Sequence, residues 1–250
     1  MPNLDAVLFD LGSTLIYFDH PQPETVYHQA DLECANRLIA AGFNIDPEAF
    51  SQKMEERQRI YDQERSTTYK EYNIQYAITD ILGDWGYAEV PPDVMRIAVD
   101  ATFAVSQAYW HPEVDAVPTL EVLQKQGYHI GLISNAADEG DVQALIDKAG
   151  IRPYLEIILV SATQGVCKPH PQIFHTALNA LGVPPQRAVM VGDYLKSDIL
   201  GAHNAGMPGI WIKRRVKGDH NRPESTLIFP EATIDSLPEL PPLLTKLGKS

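Results

Sequence analysis

Cysteine is scarce in this chain, and so is positive charge. Two cysteines occur in 250 residues, Cys34 and Cys167. They match no CxxC or Cys/His spacing, so neither a disulfide framework nor a structural zinc is expected. Twenty Lys and Arg stand against 33 Asp and Glu, a formal net charge of −13. A protein of that sign repels nucleic-acid backbones and anionic membranes, and an anionic substrate would need a local positive site. Long apolar runs are missing as well. None approaches the length of about 18 residues needed for a membrane span, and MPNLDAVLFDLG lacks the basic and apolar segments of a secretion signal. Neither GxGxxG, GxxxxGK[ST] nor HExxH occurs, so dinucleotide, P-loop and catalytic-zinc readings have no support. The expectation is a cytoplasmic protein with no nucleic-acid or membrane partner.

The composition that remains, 44% hydrophobic and 21% charged, is that of a globular chain rather than a disordered or fibrous one. Its length suits one large domain or a core with an insertion. The run from Ala6 to Phe9 reads as a buried strand ending at Asp10 and a Gly-Ser-Thr turn. From Pro21 to Trp110 apolar residues fall at helical spacing, with breaks at Ala41-Gly42, Gly83 to Gly86 and Pro91-Pro92. That predicts about four helices, one starting at the N-cap Asp46 before Pro47. The aromatics of this insert are read mainly as its core. After Pro112 strands are predicted at Tyr128 to Ile133, Ile157 to Val160, Ala188 to Val191 and Gly209 to Ile212. Helices near Asp141 to Ala149, Gln172 to Leu181 and Asp198 to Ala205 separate them. Such alternation gives an α/β fold, a doubly wound parallel sheet, with the helical insert following its first strand. The five basic residues between Lys213 and Arg222 read as a solvated loop.

Ligands of an open parallel sheet bind beyond the carboxyl ends of its strands. Four of those ends carry reactive groups: Asp10, Ser134-Asn135, Lys168, and the pair Asp193 and Asp198. Each alone could be a turn or helix cap; together and in this order they form a pattern. VLFDLGSTL (7 to 15), LISNA (132 to 136), KPHPQIF (168 to 174) and GDYLKSDILGAHNAGM (192 to 207) resemble the motifs of the haloacid dehalogenase superfamily, in the phosphatase-like branch with a helical cap inserted after the first strand. The resemblance spans nearly the whole chain. It implies a Rossmann-like core of residues 1–18 and 112–250 and a helical cap of residues 19–111.

The same resemblance implies a hydrolase of a small phosphorylated metabolite, working as a monomer or homodimer, with Asp10 forming a phosphoaspartate. Mg2+ would be bound by Asp10, Asp193 and the backbone carbonyl of Gly12, with Asp198 in its outer shell. Lys168 would neutralise nucleophile and phosphate, and Ser134, Asn135 and Gly12 would donate hydrogen bonds to the phosphate. By the same analogy Arg65, Tyr69 and Lys70 of the cap are candidate substrate contacts. Cys167, beside Lys168, reads as a small buried residue.

One position departs from the family pattern. Two residues after the nucleophile, where phosphatases of the family carry a second aspartate as general acid and base, stands Gly12. General acid-base catalysis supplies roughly 10² to 10⁴ in rate, so the departure bears on the substrate. Three explanations compete: a leaving group that needs no proton, another acid such as Asp19 or His20, or a weakly active or inactive protein that binds a phosphorylated ligand. A metal-independent 2-haloacid dehalogenase is the remaining alternative.

Overall fold

The structure, a computed structural model, describes residues 4–215 and 227–247. Its strands among these residues are β1 (Ala6–Phe9), β2 (Ile16–Phe18), β3 (Trp110–Pro112), β4 (His129–Ser134), β5 (Ile157–Val160), β6 (Ala188–Gly192), β7 (Gly209–Ile212) and β8 (Ala232–Ile234). Six form one parallel sheet in the order β5-β4-β1-β6-β7-β8. The chain runs outward from β1 on one side and returns on the other, so β1 lies at the switch point where such sheets bind ligands.

The helices are α1 (Pro23–Ala40), α2 (Pro47–Thr68), α3 (Ile74–Asp84), α4 (Pro92–Gln107), α5 (Ala116–Lys125), α6 (Glu139–Ala149), α7 (Ser161–Gln164), α8 (Pro171–Leu181), α9 (Gly201–Asn204) and α10 (Leu240–Leu247). Alternate residues of β1 serve opposite faces. Val7 and Phe9 pack with α5, α6 and α10 through Leu120, Ile146 and Leu244; Ala6 and Leu8 pack with α8 through Ile173 and Phe174. Burial on both faces explains why β1 reads as an unbroken apolar run. The predicted α/β class and its parallel sheet are therefore present. No helix among the described residues is long and apolar enough to cross a membrane.

The four helices between β2 and β3 share a core of their own, including Leu38, Phe50, Ile78, Ile81 and Val99. Asp46 caps α2 by accepting from the Ala49 N–H, with Pro47 following it, as its sequence position indicates. The insert leaves and rejoins the sheet through a short antiparallel ribbon, Phe18 opposite Trp110 and Ile16 opposite Pro112. This ribbon carries too few residues for a periodic signal, and the sequence does not reveal it. A second difference lies after β6, where one continuous helix was expected. Leu195–Leu200 instead makes a π-helical turn before α9; such turns concentrate at functional sites.

Polar contacts fix the insert against the sheet layer. Arg96 of α4 makes paired bonds to Asp138 at 3.0 and 3.2 Å, and Gln107 donates to Asp141 of α6 at 2.9 Å. At the other flank the basic segment departs from a solvated loop. Arg214 contacts Glu113 and Asp115, and Arg215 contacts Glu113, at 2.5 to 2.8 Å. They tie the chain after β7 to the end of the ribbon; Val216 to Arg222 lie outside the described residues.

Burial pushes the Asp141 carboxyl up to about 6, against the Gln107 hydrogen bond that lowers it. A carboxyl whose folded pKa is raised destabilises the fold once it ionises, the penalty growing as pH rises from about 4 to 6 and complete above that. Asp141→Asn keeps an acceptor for Gln107. Its melting temperature should exceed the parent's at pH 7.5, and the gap should close as pH falls through 6 towards 4. A gap that does not vary with pH would refute the assignment.

Candidate active site

Asp10 follows β1 directly, its N–H bonded to the Val191 carbonyl of β6. The chain then wraps around one acceptor: the Leu11 carbonyl receives the N–H groups of Thr14, Leu15 and Ile16 at 3.4, 2.9 and 3.0 Å. This tight loop requires Ser13 in the left-handed region, φ 57°, a conformation that non-glycine residues adopt at functional turns. Thr14 is fully buried, and its hydroxyl has no hydrogen-bond partner among the described residues. Sequence reasoning did not single it out, although a hydroxyl two residues past the glycine of this loop is the available signal.

Lys168 is the hub of the site. Its Nζ donates to Asp10 Oδ1 at 2.6 Å and to Asp198 Oδ1 at 2.7 Å, and its side chain is 1% exposed. Asp198 is equally buried, with Oδ2 accepting from the Tyr194 N–H at 2.9 Å. The π-helical turn bends Asp198 back towards the end of β6. Gly192 is what leaves it room, because a Cβ there would run into the Asp198 carboxylate. Asp193 completes the group: carboxylate oxygens of Asp10, Asp193 and Asp198 lie within 4.8 Å of one another.

The electrostatics follow from burial and charge of one sign. Burial raises the Asp10 carboxyl to about 6, Lys168 pulling down and Asp198 pushing up. Asp193 is raised to about 8, by burial first and then by Asp10 and Asp198. Burial alone would lower Lys168, yet the two carboxylates it touches raise it above the ordinary lysine range. Among the described residues three carboxylates therefore gather around one ammonium. The donor set is hard oxygen, short of positive charge, which fits Mg2+.

Ser134 ends β4, buried, and its hydroxyl makes no side-chain hydrogen bond among the described residues. Asn135 does more than the sequence indicates. Its Oδ1 accepts from the Lys168 N–H at 2.8 Å and its Nδ2 donates to the Lys168 carbonyl at 3.0 Å, so it locks the backbone that carries the lysine. Gly12 sits under the indole of Trp110: a Cβ at this position would lie 3.3 Å from Cη2. Asp19 is exposed, and His20 is engaged with Gln22 at the start of α1, 2.9 Å from its carbonyl. Cys167 is buried and its thiol pushed up to about 11 by that burial, which makes it unreactive.

The segment between α2 and α3 reaches this layer. Cys167 N–H donates to the Tyr69 carbonyl, and Glu71 N–H to that of Gly165. The Glu71 side chain is buried and accepts from the Ser161 hydroxyl at 2.6 Å; that hydroxyl accepts from the Ala136 N–H at 2.9 Å. Arg65 pairs with Asp62 and Glu71, and Lys70 lies over the Tyr72 ring. Tyr69 to Glu71 thus grip both the loop after Ser134 and the residues before Lys168. Glu71 was not visible to sequence reasoning because its partners in the sheet layer, Ser161 and Gly165, lie 90 and 94 residues further along the chain.

A sheet with reactive strand ends and an acidic cluster around one lysine is the arrangement of a hydrolase family. Residues 4–206 match the model of the haloacid dehalogenase-like hydrolases, and the chain belongs to that family. It is 31% identical, over 98% of its length and 99% of the relative's, to a glyceraldehyde 3-phosphate phosphatase of Methanopyrus kandleri. Among solved structures it resembles a 2-haloacid dehalogenase of Pseudomonas syringae pv. Tomato, at TM-score 0.67 and 27% identity over 98% of this chain and 99% of that one. It shares the fold of a phosphatase from Thermococcus onnurineus at TM-score 0.66 and 22% identity, covering 96% and 98%.

The Glu71 contact has a direct test. Glu71→Ala leaves Ser161 without its buried acceptor, and lost buried hydrogen bonds to a charged group cost about 1.5–3 kcal/mol. Amide exchange at Ala136 and Cys167 should accelerate in the variant while exchange in β7 stays unchanged. Equal protection of Ala136 and Cys167 in both forms would show that the grip does not hold these loops.

Proposed function

We propose that the chain is a Mg2+-dependent phosphatase of a small phosphorylated metabolite, acting through a phosphoaspartate on Asp10. The convergence of Asp10, Lys168, Asp193 and Asp198 carries this reading. Phosphoryl transfer is mainly positioning and charge stabilisation, and these residue types supply both. Lys168 holds Asp10 Oδ1, leaving Oδ2 to attack phosphorus; the O–P bond forms as the bond to the leaving oxygen breaks with its electron pair. Water then attacks the phosphoaspartate and releases phosphate. Two easier displacements replace one difficult step.

Ser134 Oγ and the backbone N–H groups at Gly12 and Asn135 would donate to phosphate oxygens. Asp10, Asp193 and the Gly12 carbonyl would hold Mg2+, with Asp198 in the outer shell; the ion supplies charge neutralisation and orientation of the phosphate. Residues 19–111 would serve as a cap domain over the core of residues 1–18 and 112–250. Two buried free thiols, Cys34 and Cys167, suit a reducing cytoplasmic setting.

Gly12 determines which substrates react well. With no carboxyl beside the leaving oxygen, groups that depart as stable anions or protonate themselves are favoured, acyl phosphates above all. The close approach of Trp110 to Gly12 supports this: a side chain there would press on the indole, its Cβ lying 3.3 Å from Cη2. A second reading, a dehalogenase using Asp10 without metal, draws on the likeness to the Pseudomonas enzyme. The Asp193 carboxylate weighs against it, since halide displacement requires no metal-type cluster.

Turnover of acetyl phosphate, an aryl phosphate and glyceraldehyde 3-phosphate should depend on Mg2+ and vanish in Asp10→Asn. Gly12→Asp alone should gain little, whereas Gly12→Asp with Trp110→Leu should accelerate the alkyl ester by about tenfold or more and leave acetyl phosphate nearly unchanged. Turnover of 2-chloropropionate without metal, and of no phosphate, would replace this reading with the dehalogenase.

A further inference from the structure

The insert encloses a cavity of about 640 Å3 between α1, α2, α3 and α4, within the range of small-molecule sites. Two features of the sequence open it. α2 buries only Phe50 and Ser51 of its 22 residues. The surface facing it is built from short buried side chains, Ala30, Ala77, Thr102 and Ser106, where a helical bundle would ordinarily place leucine or isoleucine. None of Asp10, Ser134, Lys168 and Asp193 lines the cavity; Ala137, two residues past Asn135, is where its lining comes nearest to them in sequence.

The lining has an uneven charge. Glu24, Asp31 and Glu55 bring three carboxylates, against the cation of Arg59 and the ring of His28. Arg59 is exposed and turns its Nε back to the Glu55 carbonyl. Asp31 is only half-exposed. Its Oδ2 accepts from the Ser51 hydroxyl at 3.1 Å, and Ser51 Oγ lies 2.9 Å from His28 Nδ1; Oδ1 has no hydrogen-bond partner among the described residues. Burial pushes this carboxyl up to about 7, against the Ser51 hydrogen bond and the His28 ring, which lower it. Around it stand aromatic faces, Tyr27 at the mouth and Tyr61 stacked on Tyr72 with centroids 4.4 Å apart. These tyrosines, expected as insert core, line the cavity instead. Ring faces attract cations, most strongly where water is excluded.

We propose that this cavity binds an organic ammonium ion, its charged nitrogen pairing with Asp31 and its apolar body lying against Tyr27, Tyr61 and Met54. A carboxylate with a free oxygen, aromatic walls and an apolar floor together select a protonated amine over a neutral or anionic molecule of the same shape.

Calorimetric titration of the full chain with 2-phenylethylammonium, 2-phenylethanol and 3-phenylpropionate tests the assignment without requiring turnover, so it stands or falls independently of the phosphatase reading. The ammonium ion should bind saturably with one-to-one stoichiometry, about tenfold or more tighter than the alcohol, a difference of about 1.4 kcal/mol. The carboxylate should bind weakest. Asp31→Asn should remove the preference for the ammonium ion, and Ala77→Leu, which fills the floor, should weaken all three. No saturable ammonium binding up to about 10 mM, equal affinity for ammonium ion and alcohol, or an unchanged preference in folded Asp31→Asn would each overturn the proposal. If Asp31→Asn fails to fold, the charge series on the parent protein decides.

Discussion

One buried ammonium holds this site together. Lys168 lies between Asp10 and Asp198 at 2.6 and 2.7 Å, with essentially no water around it. Withdrawing such groups from water costs several kcal/mol each, and the attraction among them repays this only when geometry and remaining hydrogen bonds are good. The surroundings meet that condition by dedicating a structural element to each member. Asn135 fixes the lysine backbone, the Tyr194 N–H and the gap at Gly192 place Asp198, and the loop around the Leu11 carbonyl fixes Asp10. Residues that follow β1, β4 and β6 therefore meet on Lys168, the first and last at its ammonium and the second at its backbone. Among the described residues the cluster places three carboxylates around one ammonium, a hard-oxygen donor set.

The insert is joined to this hub by more than its two-stranded ribbon. Glu71 enters the sheet layer and ends on Ser161, whose hydroxyl also holds the Ala136 N–H. Arg96 and Gln107 bind α4 to the first turn of α6. A movement of the helices would thus pull on the loop after Ser134 and on the residues before Lys168. The first segment holds Asn135, which locks the Lys168 backbone, and the second leads into Lys168 itself, so the position of the insert and the assembly of the cluster are mechanically linked.

The elements that could be read from the sequence were those with a long-range pattern of their own. β1, β5 and β7 announce themselves as apolar runs; α1 to α4 show helical spacing, and Asp46-Pro47 marks a start. Asp10, Ser134, Asn135, Lys168, Asp193 and Asp198 are legible because each follows an apolar run that a parallel sheet must end on one edge. What escaped is what depends on partners far along the chain. The ribbon of β2 and β3 has three residues a side, too short for periodicity. Glu71 is an ordinary surface residue until Ser161 is brought to it. Arg214 and Arg215 look like part of a basic loop until Glu113 and Asp115 are placed beneath them. The side-chain role of Asn135 is invisible for the same reason, as is the cavity inside the insert, which consists of side chains that are too small.

Gly12 combines both kinds of information. Its identity is plain in the sequence, and its consequence becomes clear only with Trp110, which the ribbon delivers from a position almost a hundred residues later. Gly12 has no left-handed backbone that would demand glycine, so the reason for its small side chain is spatial. A Cβ at this position would lie 3.3 Å from the indole, which would have to give way by a few tenths of an ångström. A side chain at position 12 and the packing at the base of the insert are therefore coupled through Trp110, which also contacts Phe18 across the ribbon. The residue at position 12 is thus set together with the aromatic contacts of the ribbon, and a change at one is felt at the other.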